Sequence, residues 1–107
     1  MAEHILYVFA ASKRERRYQL QMESLAERGT ELTEHDIVVV EVFENEQGTI
    51  GSAGLPHDKR QELRQRYQVL PGQFKVVLVG RDLHIQLCAK SCISYEEIVM
   101  RIEISAV

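Results

Sequence analysis

The sequence is poor in cysteine: Cys88 and Cys92 are the only two in 107 residues. Two thiols exclude a disulfide framework, which needs several pairs to staple a small domain. There is no excess of positive charge either. Lys and Arg number 13 against 16 Asp and Glu, for a formal net charge of -3. A dedicated nucleic-acid binder normally carries a basic excess, so nucleic acid is not an expected partner. Long apolar runs are also missing. The longest, Ile5 to Ala11, falls far short of the ~20 residues a membrane-spanning helix needs, so no membrane association is expected. Glu3 and His4 interrupt the start and no long apolar core follows, so no cleavable signal is legible. The chain as written is expected to stay in the cytoplasm. As a domain of a longer secreted protein it would be extracellular. No internal repeat and no low-complexity tract is visible.

What is present is ordinary globular material, 45% hydrophobic and 27% charged. The length fits a single domain over residues 1–107, since one domain takes ~100–200 residues. A chain of this size buries roughly two-thirds of its unfolded surface, so it needs no disulfide or metal to fold, and no cofactor is expected.

The elements follow from periodicity. Ile5 to Ala10 is a continuous apolar run of strand formers, which fits a strand covered on both faces. From Arg14, the positions Tyr18, Met22, Leu25, Ala26 and Leu32 trace one helical stripe, with Gly29 weakening or ending the last turns. Ile37 to Phe43 is a second buried strand, so the first three elements form a βαβ unit with parallel strands. Glu44 to His57 reads as a long, glycine-containing loop with room for a short hairpin. Asp58 and Gln61 form a capping box for the next helix, whose stripe is Leu63, Tyr67 and Leu70. Pro71-Gly72 stops it. Phe74 to Val79 is a third strand. After Gly80-Arg81-Asp82, Leu83, Ile85 and Leu87 alternate with His84, Gln86 and Cys88, giving a fourth strand that pairs back as a hairpin. Ser94 with Glu97 caps a final helix with Tyr95, Ile98, Val99 and Ile102 on its core side.

This order, β-α-β-α-β-β-α, predicts an α/β thioredoxin-like fold with a mixed four-stranded sheet flanked by helices. A ferredoxin-like fold would place the hairpin before the second helix.

Several stretches also match one thioredoxin-like family. They are Val8-Phe9-Ala10-Ala11-Ser12 followed by Arg16, Tyr18, Gln21 and Leu25, then Leu32 to Val42, Glu62-Leu63-Arg64, Phe74 to Asp82, and Ser94 to Ile98. In these the chain resembles the uncharacterised domain of sushi-repeat-containing proteins. That domain also occurs in the coiled-coil-domain extracellular-matrix protein down-regulated by oncogenes, and in small bacterial proteins. Ala11 stands where that family usually has Pro. The resemblance covers nearly the whole chain through diffuse motifs. It implies a thioredoxin-like fold and a role in adhesion or matrix interaction, with no agreed enzymatic activity.

A disulfide-exchange enzyme needs a low-pKa thiolate at the start of its first helix, where free amides and the helix dipole stabilise the anion. Here that place reads Ala11-Ser12-Lys13-Arg14. The Pro expected before the third strand is also missing, with Phe74 near its place and Pro71 three residues earlier. The leading reading is therefore a non-catalytic binding or interaction module. Its working surface is expected at the loop Ala11 to Arg17 together with the long loop after the second strand. Lys13, Arg14, Arg16 and Arg17 place positive charge where the helix dipole disfavours it. Ser12, Arg14, Arg16 and Arg17 are thus candidate contacts for an anionic ligand or protein partner, against the plain reading of a solvated helix face.

The runner-up is a thiol-dependent redox enzyme or sensor using Cys88 and Cys92. These are otherwise two ordinary thiols, or an incomplete metal set with His84. Gly48 to Gly54 lacks the ending of a phosphate-binding loop and reads as a flexible loop. His4, His35 and His57 lie at element edges without partner acids. A structural role through strand-edge dimerisation has no strong feature, and the sequence leaves the oligomeric state open.

Intact mass on unreduced protein tests the thiol readings. A disulfide would show as two missing hydrogens restored by reductant, and a metal as an adduct removed by chelator. The binding-module reading expects the reduced apo mass throughout.

Overall fold

The computed structural model describes residues 3–51 and 53–105. Its centre is β1 (His4–Ala10), in which Leu6 to Ala10 are all buried. A strand of this composition has no polar face to offer solvent, so both its flanks and both its faces must be covered. Strand β2 (Ile37–Phe43) pairs with it in parallel along its whole length, from His4 opposite Ile37 to Ala10 opposite Phe43. On the other flank β5 (Lys75–Gly80) runs antiparallel, with Tyr7 opposite Val77. Beyond β5 lies β6 (Ile85–Ala89), also antiparallel. The order β2-β1-β5-β6 with these directions is consistent with the thioredoxin-like arrangement expected from the element order.

The sheet has six strands where four were expected. The long loop supplies the other two, β3 (Thr49–Ile50) and β4 (Ala53–Gly54), as a small hairpin on the β2 edge. The loop was expected to have room for such a hairpin, but strands of two residues carry no detectable alternation, so periodicity did not fix their bounds. Ser52, inside the expected loop, lies outside the described residues. Gly48 is required where it stands, because a Cβ there would overlap the Glu41 backbone carbonyl.

Alternation divides β1 between two cores. Leu6, Val8 and Ala10 pack with Leu25, Leu32, Phe74, Leu78 and Ile98. That face is covered by α1 (Arg16–Ala26), α2 (Gly29–Glu34) and α4 (Tyr95–Ser105). Tyr7 and Phe9 pack on the opposite face with Val42, Leu63, Tyr67 and Val77. Here the cover is α3 (His57–Arg66). The Tyr7, Phe9 and Tyr67 rings cluster with centroids 5.1–6.0 Å apart. Burial, with Tyr67 alongside, pushes the Tyr7 phenol up to about 12.

Four local expectations need correction. The first helical stripe is two helices: α1 ends at Ala26, and α2 starts at Gly29 after Arg28, so Ala26 is exposed while Leu32 stays in the core. Asp58 does not cap α3. Pro56 occupies the N-cap position and Asp58 lies in the first turn without a capping bond. Leu70 is 64% exposed, because the chain leaves α3 through Gln68 at φ 54° and Val69 takes the buried place. Finally, Leu83, Ile85 and Leu87 do not share a face. Leu78 pairs with Leu87 but Val79 with Ile85, so Gln86 is an extra residue in β6. Such a bulge reverses the parity of everything before it. Leu87 is therefore buried on the α4 side, while Ile85 is 56% exposed in a hollow with Tyr67 and Cys88. Ser94 caps α4 as expected, its Oγ accepting the Glu97 N–H at 3.1 Å.

Among the described residues, one polar side chain is fully buried. Gln21 of α1 donates from Nε2 to the Ile93 carbonyl at 3.0 Å, and its Oε1 accepts the Ile93 N–H at 2.8 Å. The amide thus stands in for a strand partner and ties α1 to the chain entering α4. Gln21→Leu would orphan both backbone groups. Each buried orphan costs about 1–3 kcal/mol, so the variant is expected to lose that much or more in urea unfolding. A loss within error would contradict this accounting.

Candidate functional site

The carboxyl ends of the two parallel strands lie side by side. Ala10 is opposite Phe43, and the Glu44 N–H donates to the Ala11 carbonyl at 3.3 Å. Open α/β sheets bind ligands outside this end of their parallel strands. Three chain segments meet there: Ala11 to Glu15 leading into α1, Glu44 to Gln47 leaving β2, and Leu70 to Gln73 leading into β5.

Two acidic residues after the apolar β2 join these segments. The Glu44 carboxylate accepts the Gly72 N–H and lies 3.7 Å from the Arg64 guanidinium. Gly72 has φ 78°, a conformation that suits glycine. Glu46 accepts the Lys13 N–H at 3.3 Å through its carboxylate and an Arg60 Nη1 bond at 2.7 Å through its carbonyl. Both strand ends, the loop before β5 and α3 are therefore cross-linked by charge-assisted bonds, which are stronger than neutral ones.

The predicted contacts Ser12, Arg14, Arg16 and Arg17 all lie at this end. The Ser12 hydroxyl accepts the Arg14 N–H at 3.1 Å, and the Ser12 carbonyl accepts the Glu15 N–H at 3.1 Å. Glu15 caps α1. Its carboxylate takes the Arg17 N–H at 3.2 Å and the Arg17 Nε at 2.8 Å. Those Arg17 bonds hold the Glu15 carboxyl below the usual carboxylate range. The charge mismatch with the helix dipole is thus answered partly from within. Arg17 is further held 5.5 Å over the Phe74 ring. Lys13, Arg14 and Arg16 are exposed, and among the described residues no ion pair engages them.

Glu41 was not singled out by sequence reasoning, although one acid in an apolar strand was a visible signal. It accepts the Tyr18 hydroxyl and, at 2.6 Å, the Thr49 hydroxyl. Burial, and then this bond, raise the Tyr18 phenol well above its ordinary value. The network anchors α1 and the small hairpin to the middle of β2.

The thiols are placed apart. Cys88 is free and exposed on the α3 side of the sheet, beside Tyr67 and Ile85. Cys92 is free and donates to the Arg17 carbonyl at 3.2 Å, against α1. His84 pairs instead with Asp82 at 2.6 Å. Among the described residues, no group of three His, Cys, Asp or Glu is placed to share a metal ion. No described helix is long and apolar enough to cross a membrane.

A family model described as Domain of unknown function (DUF4174) matches residues 3–103. The chain belongs to this family. The DUF4174 match runs from the start of β1 into the last turns of α4, so it takes in every segment that builds the site. No curated protein and no solved structure matches the chain.

The partly buried Glu44 link predicts a measurable cost. Glu44→Ala should destabilise the domain by about 1 kcal/mol or more, since it leaves the largely buried Arg64 charge without its carboxylate. The Gly72 amide should then exchange with solvent faster in hydrogen-exchange NMR. Unchanged exchange at Gly72 would remove Glu44 from this role.

Proposed function

We propose that the domain is a non-catalytic binding module that recognises an anionic ligand or protein partner. Its contacts are Ser12, Arg14 and Arg16, with Lys13 beside them and the loop after β2 as the neighbouring surface. One observation carries this reading. Where a disulfide-exchange enzyme needs its thiolate, this chain has a self-bonded Ser12–Glu15 turn beside three exposed cations that, among the described residues, no carboxylate pairs in an ion pair. Arg17 serves as the brace of that turn, through Glu15 and Phe74. The resemblance to the thioredoxin-like domain of sushi-repeat and matrix proteins supports an interaction role over an enzymatic one.

The second reading, a redox sensor using Cys88 and Cys92, draws on the exposure of both thiols. It requires at least one thiol that titrates near neutral pH.

Thermal unfolding with a sulfated oligosaccharide as probe tests the first reading. Ligand binding to the folded state raises the midpoint with ligand concentration. The rise should vanish in Arg14→Ala/Arg16→Ala and fade with added salt. Lys59→Ala, a substitution of an exposed cation on α3, should keep it. A rise that survives in the double variant overturns the assignment.

A further inference from the structure

A second feature lies between α3 and the segment Val69 to Pro71. It is a hollow of about 420 Å³, with Arg60, Arg64 and Glu44 in its wall. Arg64 is the key group. Its side chain is only 13% exposed. Nη2 donates to the Val69 carbonyl at 3.4 Å and the Leu70 carbonyl at 3.3 Å. Nη1 is buried and has no hydrogen-bond partner within the protein. A buried charged donor left idle is costly, and native proteins rarely leave one so.

The charge around it is also unbalanced. Arg60 spends its two terminal nitrogens on neutral acceptors, the Glu46 carbonyl at 2.7 Å and His57 Nδ1 at 2.6 Å. Among the described residues no carboxylate pairs with Arg60. Glu44 is the only acid in the wall, and it is shared with the Gly72 N–H. Two guanidinium groups against one carboxylate leave one positive charge. Burial, and Arg60 itself, lower the Arg64 pKa against the opposing pull of Glu44. A monoanion would neutralise the cluster, whereas a dianion would overshoot and meet Glu44.

The rest of the wall says what the anion is attached to. Val69, Leu70 and Pro71 make one side apolar. Leu70 is 64% exposed, held outward by a chain whose carbonyls are bound to Arg64. Gln61, Gln65 and Gln68 contribute amides that both donate and accept. We propose that this hollow binds a carboxylate carried on an apolar group. The Arg64 and Arg60 guanidinium groups hold the carboxylate by their shared positive charge, Val69 and Leu70 cover the apolar part, and the glutamine amides answer a neighbouring peptide group. A free apolar acid and the C-terminal residue of a peptide share this chemistry. Lys13, Arg14 and Arg16 take no part, so this site stands or falls separately from the anionic surface above.

The test uses the full chain, with N-acetyl-leucine as probe and N-acetyl-leucinamide as the uncharged control. NMR titration should give a dissociation constant near or below about 1 mM for the acid, a reasonable affinity for so small a ligand. Shifts should centre on Arg64, Leu70 and Gln65, and the amide should bind at least tenfold more weakly. Arg64→Gln should weaken the acid tenfold or more. Leu70→Ser alters an exposed side chain, leaves the Arg64 bonds in place, and should weaken it several-fold. Peptides ending in Leu, with free or amidated C-termini, separate the sources. Tighter binding of the free-ended peptide than of N-acetyl-leucine assigns the site to chain ends, and equal binding assigns it to small acids. Equal affinity for acid and amide, no binding of the acid at tenfold higher concentration, or indifference to both substitutions overturns the proposal.

Discussion

The two-sided burial of β1 is the constraint from which the rest of the architecture follows. A strand with Leu6 to Ala10 all buried needs partners on both flanks and cover on both faces. Apolar area is worth about 25 cal/mol per Å² removed from water, so each uncovered face would forfeit several residues' worth of stability. The α1, α2 and α4 layer covers one face fully. The other is covered by α3, with Leu55 and Val69 from its flanking segments. That thinner layer leaves strand-edge and loop apolar groups open on the α3 side. Ile50 and Leu83 line one hollow there, and Ile85 another.

Against this apolar frame, a few polar side chains do the joining. Gln21 links α1 to the entry of α4, Glu41 links α1 to the small hairpin, and Glu44 and Glu46 gather the strand ends. All four sit in part or wholly away from solvent, where a hydrogen bond to charge gains most and its loss costs most. The many exposed pairs, such as Arg28 with Glu96 or Lys59 with Glu62, contribute little by comparison. Organisation of the site thus rests on acids within β2 and just past its carboxyl end rather than on the basic loop that first draws the eye.

The main strands and helices were legible because their apolar periods are long enough to read. Ile5 to Ala10 is an unbroken apolar run, Ile37 to Phe43 is broken only by Glu41, and Tyr18, Met22 and Leu25 recur at helical spacing. What escaped was either too short or too distant. The hairpin in the long loop was allowed for, but the bounds of its strands, Thr49–Ile50 and Ala53–Gly54, were not readable because two residues carry no period. A single extra residue, Gln86, undid the alternation of Ile85 with Leu87. In the site, the basic turn from Ser12 to Arg17 was visible as a run of like charge. Its neutralising partner Glu15 lay within that same run and was passed over. Glu44 with Gly72 and Glu46 with Lys13 are separated by 28 and 33 positions, and local spacing encodes no such meeting. The DUF4174 family match covers the same residues.

The placement of β1 also shapes how the chain must come together in time. Its parallel partner follows after α1 and α2, but Tyr7 meets Val77 only 70 positions later. At synthesis rates of about 5–20 residues per second, roughly 4–14 s separate the two strands. During that interval one flank of an almost wholly apolar strand has no main-chain partner, and only the β1-α1-α2-β2 unit can shelter it. The β5-β6 hairpin and α4 form from neighbouring sequence and then dock as a second unit. The join between these halves, rather than either half alone, is the step at which a nascent chain is most open to mispairing with its neighbours on a polysome.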